Sequence, residues 1–452
     1  MRRGVEQDRA AQLLMGADVE FDDARLRLEK AAVVLSADNA ARTAWGQAAL
    51  LTIAECATRM FRGGVYLGSD FNEQVIVGTH PRLPLRRLLV KTGCRPENPP
   101  SHAVHLYVGH EPTSSRAQVR CWADGWTAVT SPACAPEPPV SGNEISGALA
   151  GAMATSDLFR IAMLGDLMAG KRTQKLSALT PGTIASQDLH LEALPAQCWM
   201  VGLGNLGQGT LWILGLLPYA DPQEVRLLLQ DTDVSGPENL DTQILTQFSW
   251  IGLNKARAAA LWAETRGFRT VICERSFDTY TRRSPDQPGV ALVGVDNLPT
   301  RRLVPAAGFD LVIDAGLGGS SSEVFDIRIH GFPGFRSANV AWPQPEESTE
   351  VSLTPALTRL VEEGRLDRCG AMAIAGQSVG IPSVAVAAAA IQVAQLCRAI
   401  ATSEFCDLVD VSVRNPRRAA VHIGSLPRAG VLASTTARPS EYPIKPSGIG
   451  YH

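Results

Sequence analysis

Apolar residues recur at helical spacing over residues 39–61 (NAARTAWGQAALLTIAECATRMF), and the small-residue segment ISGALAGAMATSDLFRIAML repeats that pattern further on. Between them GVYLG, AVHLYVG and QVRCWADGWTAV have the alternation and the β-branched or aromatic content of strands, before a Pro-rich break at 135–141. Residues 171–187 are polar and turn-rich and predict a linker. The pattern then changes at QCWMVGLGNLGQGTLWILGLL, which predicts a buried strand, a glycine turn and a helix. The strand VRLLL, a helix over about Lys255–Thr265, the strands TVICE and VALVGV, a helix through Arg301 and Arg302, and the strand DLVID follow. Strands alternating with helices predict an α/β fold, a doubly wound and mostly parallel sheet. Residues 336–368, broken by Pro and Gly and carrying Glu346, Glu347 and Glu350, predict an exposed crossing segment. A helix over about 370–401 and a short β tail (VDVSV, AAVHI) complete the pattern. The expected domains are 1–180, 181–430 and a loose tail at 431–452.

Composition narrows the classes of function. The 452 residues are 45% hydrophobic and 19% charged with a net charge of -3, a globular balance without a polybasic footprint. Nucleic acid and membrane are therefore not expected partners. The basic N-terminus lacks an apolar signal core, and the apolar stretch Val379–Val393 contains Pro382 and is short of the ~20 residues of a spanning helix, so a buried helix and a cytoplasmic location are expected. Nine cysteines without a C-x-x-C pair predict reduced thiols rather than a disulfide framework or a zinc ribbon. His102 and His105 fall on opposite faces of a strand, which disfavours a shared metal. Positive charge is carried by 36 Arg and only 6 Lys, and Lys255 stands alone between Lys175 and Lys445.

Gly202-x-Gly204-x-x-Gly207 follows a strand and opens a helix, the setting in which backbone N–H groups and the helix N-terminus favour a phosphate. Nucleotide binding is expected. Asp231 or Asp233, ending the next strand, could hold a ribose, as in NAD enzymes, so the glycine turn leaves an NAD-dependent Rossmann oxidoreductase open beside an ATP enzyme.

The later motifs separate the two. Asp231-Thr-Asp233-x5-Asn239-Leu-x-x-Gln243, then Gly252-x-x-Lys255, then Asp296-Asn297-x3-Arg301 occur in order. Over roughly residues 190–425 the chain resembles the ThiF and ubiquitin-activating-enzyme family of adenylyltransferases, which adenylate the C-terminal glycine of ubiquitin-like proteins. The resemblance implies a ThiF-like adenylation domain in the second half and a degenerate, inactive adenylation-like half before it, as an intrachain pseudo-dimer or within a homodimer. It implies ATP and Mg²⁺ as cofactors. Gly202, Gly204, Gly207, Asp231, Asp233, Asn239, Gln243 and Asn297 would line the nucleotide site, Lys255 and Arg301 would act on the phosphates, and Asp296 would hold Mg²⁺. Thr242 stands where relatives carry a phosphate-binding arginine. The family also draws an arginine from the partner half; here Arg2, Arg3, Arg9 and several others qualify, and the sequence does not single one out.

In relatives that form thioesters the cysteine lies beyond the crossing segment, which points to Cys369, beside Arg368 at a helix start, where thiolate character has a physical basis. Cys273, Cys397 and Cys406 fall in strand or helix patterns and predict core. The implied partners are a ubiquitin-like protein ending in glycine and a ubiquitin-conjugating-like enzyme. Among bacterial chains the plan is similar to activating enzymes of phage-defence operons. A non-catalytic scaffold that binds a ubiquitin-like tail is a third possibility.

Overall fold

The computed structural model describes residues 4–15, 19–78, 83–111, 117–135, 139, 141–183, 189–318, 323–343, 353–375, 379–428 and 430–440. The first half contains helices α1 (Arg9–Met15), α2 (Phe21–Lys30), α3 (Ala44–Met60), α4 (Leu85–Thr92) and α5 (Glu144–Ala162). Its strands are β1 (Ala32–Ala37), β2 (Gly64–Leu67), β3 (Val104–Val108), β4 (Val119–Asp124), β5 (Thr127–Ser131) and β6 (Gln174–Ser177). They form one sheet in the order β2-β1-β3-β4-β5-β6, parallel from β2 to β4 and antiparallel beyond.

The second half contributes the short strand β7 (Leu194–Pro195), then β8 (Gln197–Val201), β9 (Arg226–Gln230), β10 (Arg269–Cys273), β11 (Val290–Val293), β12 (Leu311–Leu317), β13 (Asp326–Phe332), β14 (Glu404–Ser412), β15 (Ala420–Ser425) and β16 (Thr436–Ala437). Its helices are α6 (Asn205–Leu216), α7 (Lys255–Glu264), α8 (Leu298–Leu303), α9 (Ala338–Ala341), α10 (Pro355–Glu362), α11 (Arg368–Ala375) and α12 (Pro382–Thr402). The main sheet runs β10-β9-β8-β11-β12-β13-β14-β15, parallel as far as β12 and antiparallel after it. The segment β9-β8-β11-β12-β13-β14 repeats the first sheet in order and in sense. Both halves thus have one α/β topology, and the sheets are doubly wound and mixed.

Helices α3, α5, α6 and α12 form a shared layer between the halves. α12 is apolar all round because it is enclosed all round, and its length and hydropathy go with 89% burial of its most apolar window. Close approach in this layer requires small residues: a Cβ on Gly147 of α5 would lie 2.1 Å from the Trp45 carbonyl oxygen of α3. Most polar groups named in the layer are paired, as the interior demands. Trp212 donates from Nε1 to Thr52 Oγ1 at 3.0 Å, and Ser156 and Ser383 share a hydrogen bond of 2.8 Å. Gln392 donates from Nε2 to the Ile313 carbonyl at 2.7 Å and accepts from Thr210. The other face of the second sheet carries Trp199, Val201, Val293 and Val312 beneath Val304, Phe332 and Trp342.

Several expectations need correction. AVVLSA was not among the expected strands, yet it forms β1, the strand from which the first sheet grows. Residues 171–187 are not merely a linker, since β6 lies within them. The crossing segment 336–368 is not exposed throughout: α10 buries Ala356, Leu357 and Leu360, and Arg359 and Arg365 pair with Glu20 and Asp22 of the first half. The helix expected over 370–401 is two helices, because Pro382 occupies the first turn of α12, where its missing N–H costs nothing, and holds Ile381 extended. The tail is not loose from 431: Leu432 and Ala437 are buried, and β16 pairs with β7. Residues 441–452, Arg2 and Arg3 lie outside the described residues.

Candidate functional site

The motif residues gather at the C-terminal ends of β8, β9 and β11, three adjacent strands of the second sheet, which is where open α/β sheets bind ligands. The chain leaves β8 through Gly202, whose φ of +86° is left-handed. A side chain there would also meet Val295, with the Cβ 2.6 Å from Val295 Cγ1. Gly207 packs on the turn itself, its Cβ position only 2.0 Å from the Gly202 carbonyl oxygen. Gly204 differs: nothing lies closer than the Gln243 Nε2 at 4.0 Å, so the space over the start of α6 is open.

The corresponding turn of the first half is closed. After β1, Asp38 accepts from Ala40 N at 2.7 Å through Oδ1 and from Glu111 N at 3.0 Å through Oδ2. An internal carboxylate occupies the backbone donors that a phosphate would need.

Asp231 ends β9 with its carboxylate turned back on the glycine turn. Oδ2 accepts from Leu203 N at 2.6 Å and Oδ1 from Asp233 N at 2.8 Å. Burial raises its pKa, with those two backbone bonds acting against the shift. Asp231 therefore braces the turn. Asp233, 65% exposed at its side chain, accepts a 2.8 Å bond from Lys255 Nζ, and Lys255 N also bonds to the Asp233 carbonyl. Lys255 begins α7, so its position follows from the cap: Asn254 Oδ1 accepts from Ala256 N and Arg257 N, while Asn254 Nδ2 reaches the Asp231 carbonyl. Asn254 was missed, although an Asn immediately before a helical pattern is a readable cap.

Asn239 and Gln243 shape the loop after β9. Asn239 Oδ1 accepts from Gly236 N at 2.9 Å and so holds the loop's own turn. Gln243 is buried, its Oε1 accepting from Gln208 Nε2 at 2.8 Å and from Thr246 Oγ1 at 3.0 Å, with its Nε2 facing Gly204. Gln208, also missed, lies inside α6 and receives Leu245 N as well. The first half supports this loop from behind. Arg59 donates to the carbonyls of Leu240, Ile244 and Thr246, and Arg62 pairs with Asp8 at 2.6 Å and Asp241 at 3.1 Å. Arg9 faces the same loop, close enough to Glu238 to feel its charge.

Asp296 is exposed beyond β11 and has no ion-pair partner among the described residues. No group of three or more His, Cys, Asp or Glu suited to a metal occurs among the described residues. A single open carboxylate at a strand end still fits Mg²⁺, which keeps several waters and takes its further oxygens from a ligand. Asn297, expected at the nucleotide, caps α8 by accepting from Thr300 N at 2.8 Å. Arg301, expected at the phosphates, makes internal contacts in this structure. It donates to the Val295 carbonyl at 2.8 Å and the Ala315 carbonyl at 3.3 Å and pairs with fully buried Asp314 at 3.5 Å. Burial pushes the Asp314 carboxyl up to about 7, Arg301 opposing the shift.

All nine cysteines are free, and Cys369 alone is exposed. It is the second residue of α11, whose start is capped by Asp367 Oδ1 accepting from Gly370 N at 2.7 Å. Gly370 abuts Glu6 of the first half. Burial pushes Cys94 and Cys198 up to about 12 and Cys406 up to about 11.

Comparison with known proteins agrees with this two-part plan. Residues 31–178 match the BilD N-terminal domain and residues 194–403 the BilD C-terminal domain. The chain is 35% identical over 367 residues to the bacterial E1-like protein BilD of Collimonas sp. (strain OK412), covering 78% of each chain. Among solved structures, E. coli MccB with succinimide is 14% identical with a TM-score of 0.34, covering 52% of this chain and 65% of that one, so the match spans just under two thirds of that protein. A further structure of E. coli MccB is 13% identical, with a TM-score of 0.34 and coverage of 72% and 97%. With both domains matched in order and identity of this extent over most of its length, the chain belongs to the BilD family of bacterial E1-like proteins.

Proposed function

We propose that this protein uses ATP to adenylate the C-terminal glycine of a ubiquitin-like protein, captures the acyl group on Cys369 and passes it to a ubiquitin-conjugating-like enzyme. The observation that carries the reading is the convergence of the glycine turn, the Asp233–Lys255 pair and the open carboxylate of Asp296 at adjacent strand ends. In the first step a carboxylate oxygen attacks the α-phosphorus, the bond to the β-phosphate breaks, and pyrophosphate leaves with the electron pair. Little covalent work falls to the protein, so catalysis is positioning and charge stabilisation. Asp233 binds the ribose, Gln243 and the start of α6 face the phosphates, and Lys255 neutralises developing charge. Mg²⁺, when bound through Asp296, would supply further neutralisation.

In the second step the Cys369 thiolate attacks the acyl carbon; a C–S bond forms, AMP leaves with the pair of the broken C–O bond, and the thiol proton goes to solvent. Exposure supports Cys369 over the other thiols. The first half serves as the inactive partner of an intrachain pseudo-dimer, its own turn filled by Asp38. Arg9, close enough to Glu238 to feel its charge, is a candidate for the cation that Thr242 lacks. By resemblance, this activity would serve a conjugation system of the phage-defence kind.

The test is ATP–pyrophosphate exchange driven by a ubiquitin-like protein ending in glycine. Asp296→Ala and Lys255→Ala should each lose on the order of 10²-fold. Full exchange in both variants would refute the reading.

A further inference from the structure

Asn205 is the first residue of α6 and follows Gly204 directly. Both Nδ2 and Oδ1 of its side chain are shielded from solvent and have no hydrogen-bond partner among the described residues. A buried amide with neither its donors nor its acceptor met is unfavourable, and native folds rarely keep one without a use. The neighbours of this amide are specific. A Cβ on Gly380 would lie 2.3 Å from Asn205 Nδ2, and Gly380 also abuts Leu317 at the end of β12. Asn205 therefore faces the β12 side of the turn. The proposed ribose ligand, Asp233, follows β9 on the opposite side of β8.

Sheet order thus divides the site. On the adenylation reading the nucleoside would occupy the β9 side and its phosphates the start of α6, which leaves the attacking carboxylate the side of β12 and Gly380, where its entry must part Gly380 from the amide and uncover it. A primary amide carries one donor face and one acceptor face, the complement of a peptide unit. We infer that Asn205 reads the terminal peptide unit of the incoming chain, Nδ2 donating to its carbonyl oxygen and Oδ1 accepting from its N–H, so that the carboxylate is delivered to the α-phosphorus. The inference rests on the adenylation reading and adds a residue that distinguishes a peptide acid from other carboxylates.

The experiment uses the full chain and two probes, ATP and glycylglycyl-sulfamoyladenosine, a stable mimic of the acyl adenylate, with binding measured by calorimetry. Asn205→Ala should weaken the mimic at least tenfold and change ATP affinity by less than twofold. Asn205→Asp, which loses the donor, should weaken the mimic at least as much. The melting midpoint of Asn205→Ala should equal or exceed that of the wild type, since an unmet buried amide has been removed; a purely structural residue would lower it. Should the alanine variant not fold, Asn205→Ser carries the same comparison. Equal loss for both probes, or no loss for either, overturns the assignment. A wild type that binds ATP but prefers the mimic no more than sulfamoyladenosine itself overturns it while leaving adenylation intact. A wild type that binds neither probe removes the adenylation reading as well.

Discussion

Lys255 Nζ lies 2.8 Å from Asp233 Oδ2, and the Lys255 backbone N–H bonds to the Asp233 carbonyl, so strand β9 and helix α7 are joined twice at one residue pair. The pair puts a cation beside the proposed ribose ligand. Asp233→Asn should raise the KM for ATP about tenfold with little change in kcat, because it removes ground-state binding. Lys255→Ala should lower kcat in exchange on the order of 10²-fold, because its charge matters most as pyrophosphate departs. Steady-state exchange kinetics separate the two; equal effects on kcat would sink the division of roles.

Removal of divalent cations should abolish exchange and leave the melting midpoint unchanged. Asp296 is an exposed carboxylate beyond β11, and no cluster of metal-ligating side chains staples the described fold. Chelation followed by Mg²⁺ titration gives the readout. Asp296→Ala should need more Mg²⁺ for any remaining activity, and an unchanged titration would remove Asp296 as a ligand.

Cys369→Ala should retain pyrophosphate exchange and lose the reductant-sensitive adduct with the ubiquitin-like protein, whereas Cys406→Ala should retain both. Cys369 is exposed, while burial raises Cys406 and keeps it protonated near neutral pH. A non-reducing gel decides the matter. An adduct that persists in Cys369→Ala moves the acceptor elsewhere.

Two buried groups paired in register on β12 and β13, Asp314 and His330, should act on stability with opposite sign. The Asp314 pKa is raised to about 7 by burial, so the native state holds a proton that the unfolded chain releases above about 4. Its contribution falls as pH rises from about 4 to 7. The His330 pKa is lowered to about 4 by burial and then by Arg328, Arg301 and Arg336, so its contribution falls as pH drops below about 6.5. Over pH 4.5 to 6.5 the two offset each other. Asp314→Asn should therefore expose a midpoint that rises with pH, and His330→Gln one that falls, in thermal melts across that window. Identical profiles in both variants would contradict the pairing.

Arg62→Ala should destabilise the whole chain, because it leaves Asp8 and Asp241, both buried, without their shared cation. A loss on the order of 3 kcal/mol is expected for a partly buried network. The same variant should loosen the loop carrying Gln243 and so weaken ATP binding. Denaturant melts and nucleotide titration check the two effects separately.

The local patterns of the chain determined most of the second half. The glycine turn, the acids ending β9, the lysine opening α7 and the carboxylate beyond β11 were legible because each depends on a few neighbouring residues: a left-handed turn, a strand end, a cap. The alternation of strands and helices gave the doubly wound class for the same reason. Tertiary structure decided which contacts the site side chains make within the fold. Asp231, Asn297 and Arg301, expected at the nucleotide, bond to Leu203, Thr300 and Asp314, and no one-dimensional spacing reports where a side chain turns. It also decided that AVVLSA is a central strand, that Asp38 fills the first turn, and that Arg59 and Arg62 carry the second half's loop. Those relations join residues up to 187 positions apart, and only the packing of four helices between two sheets brings them into contact.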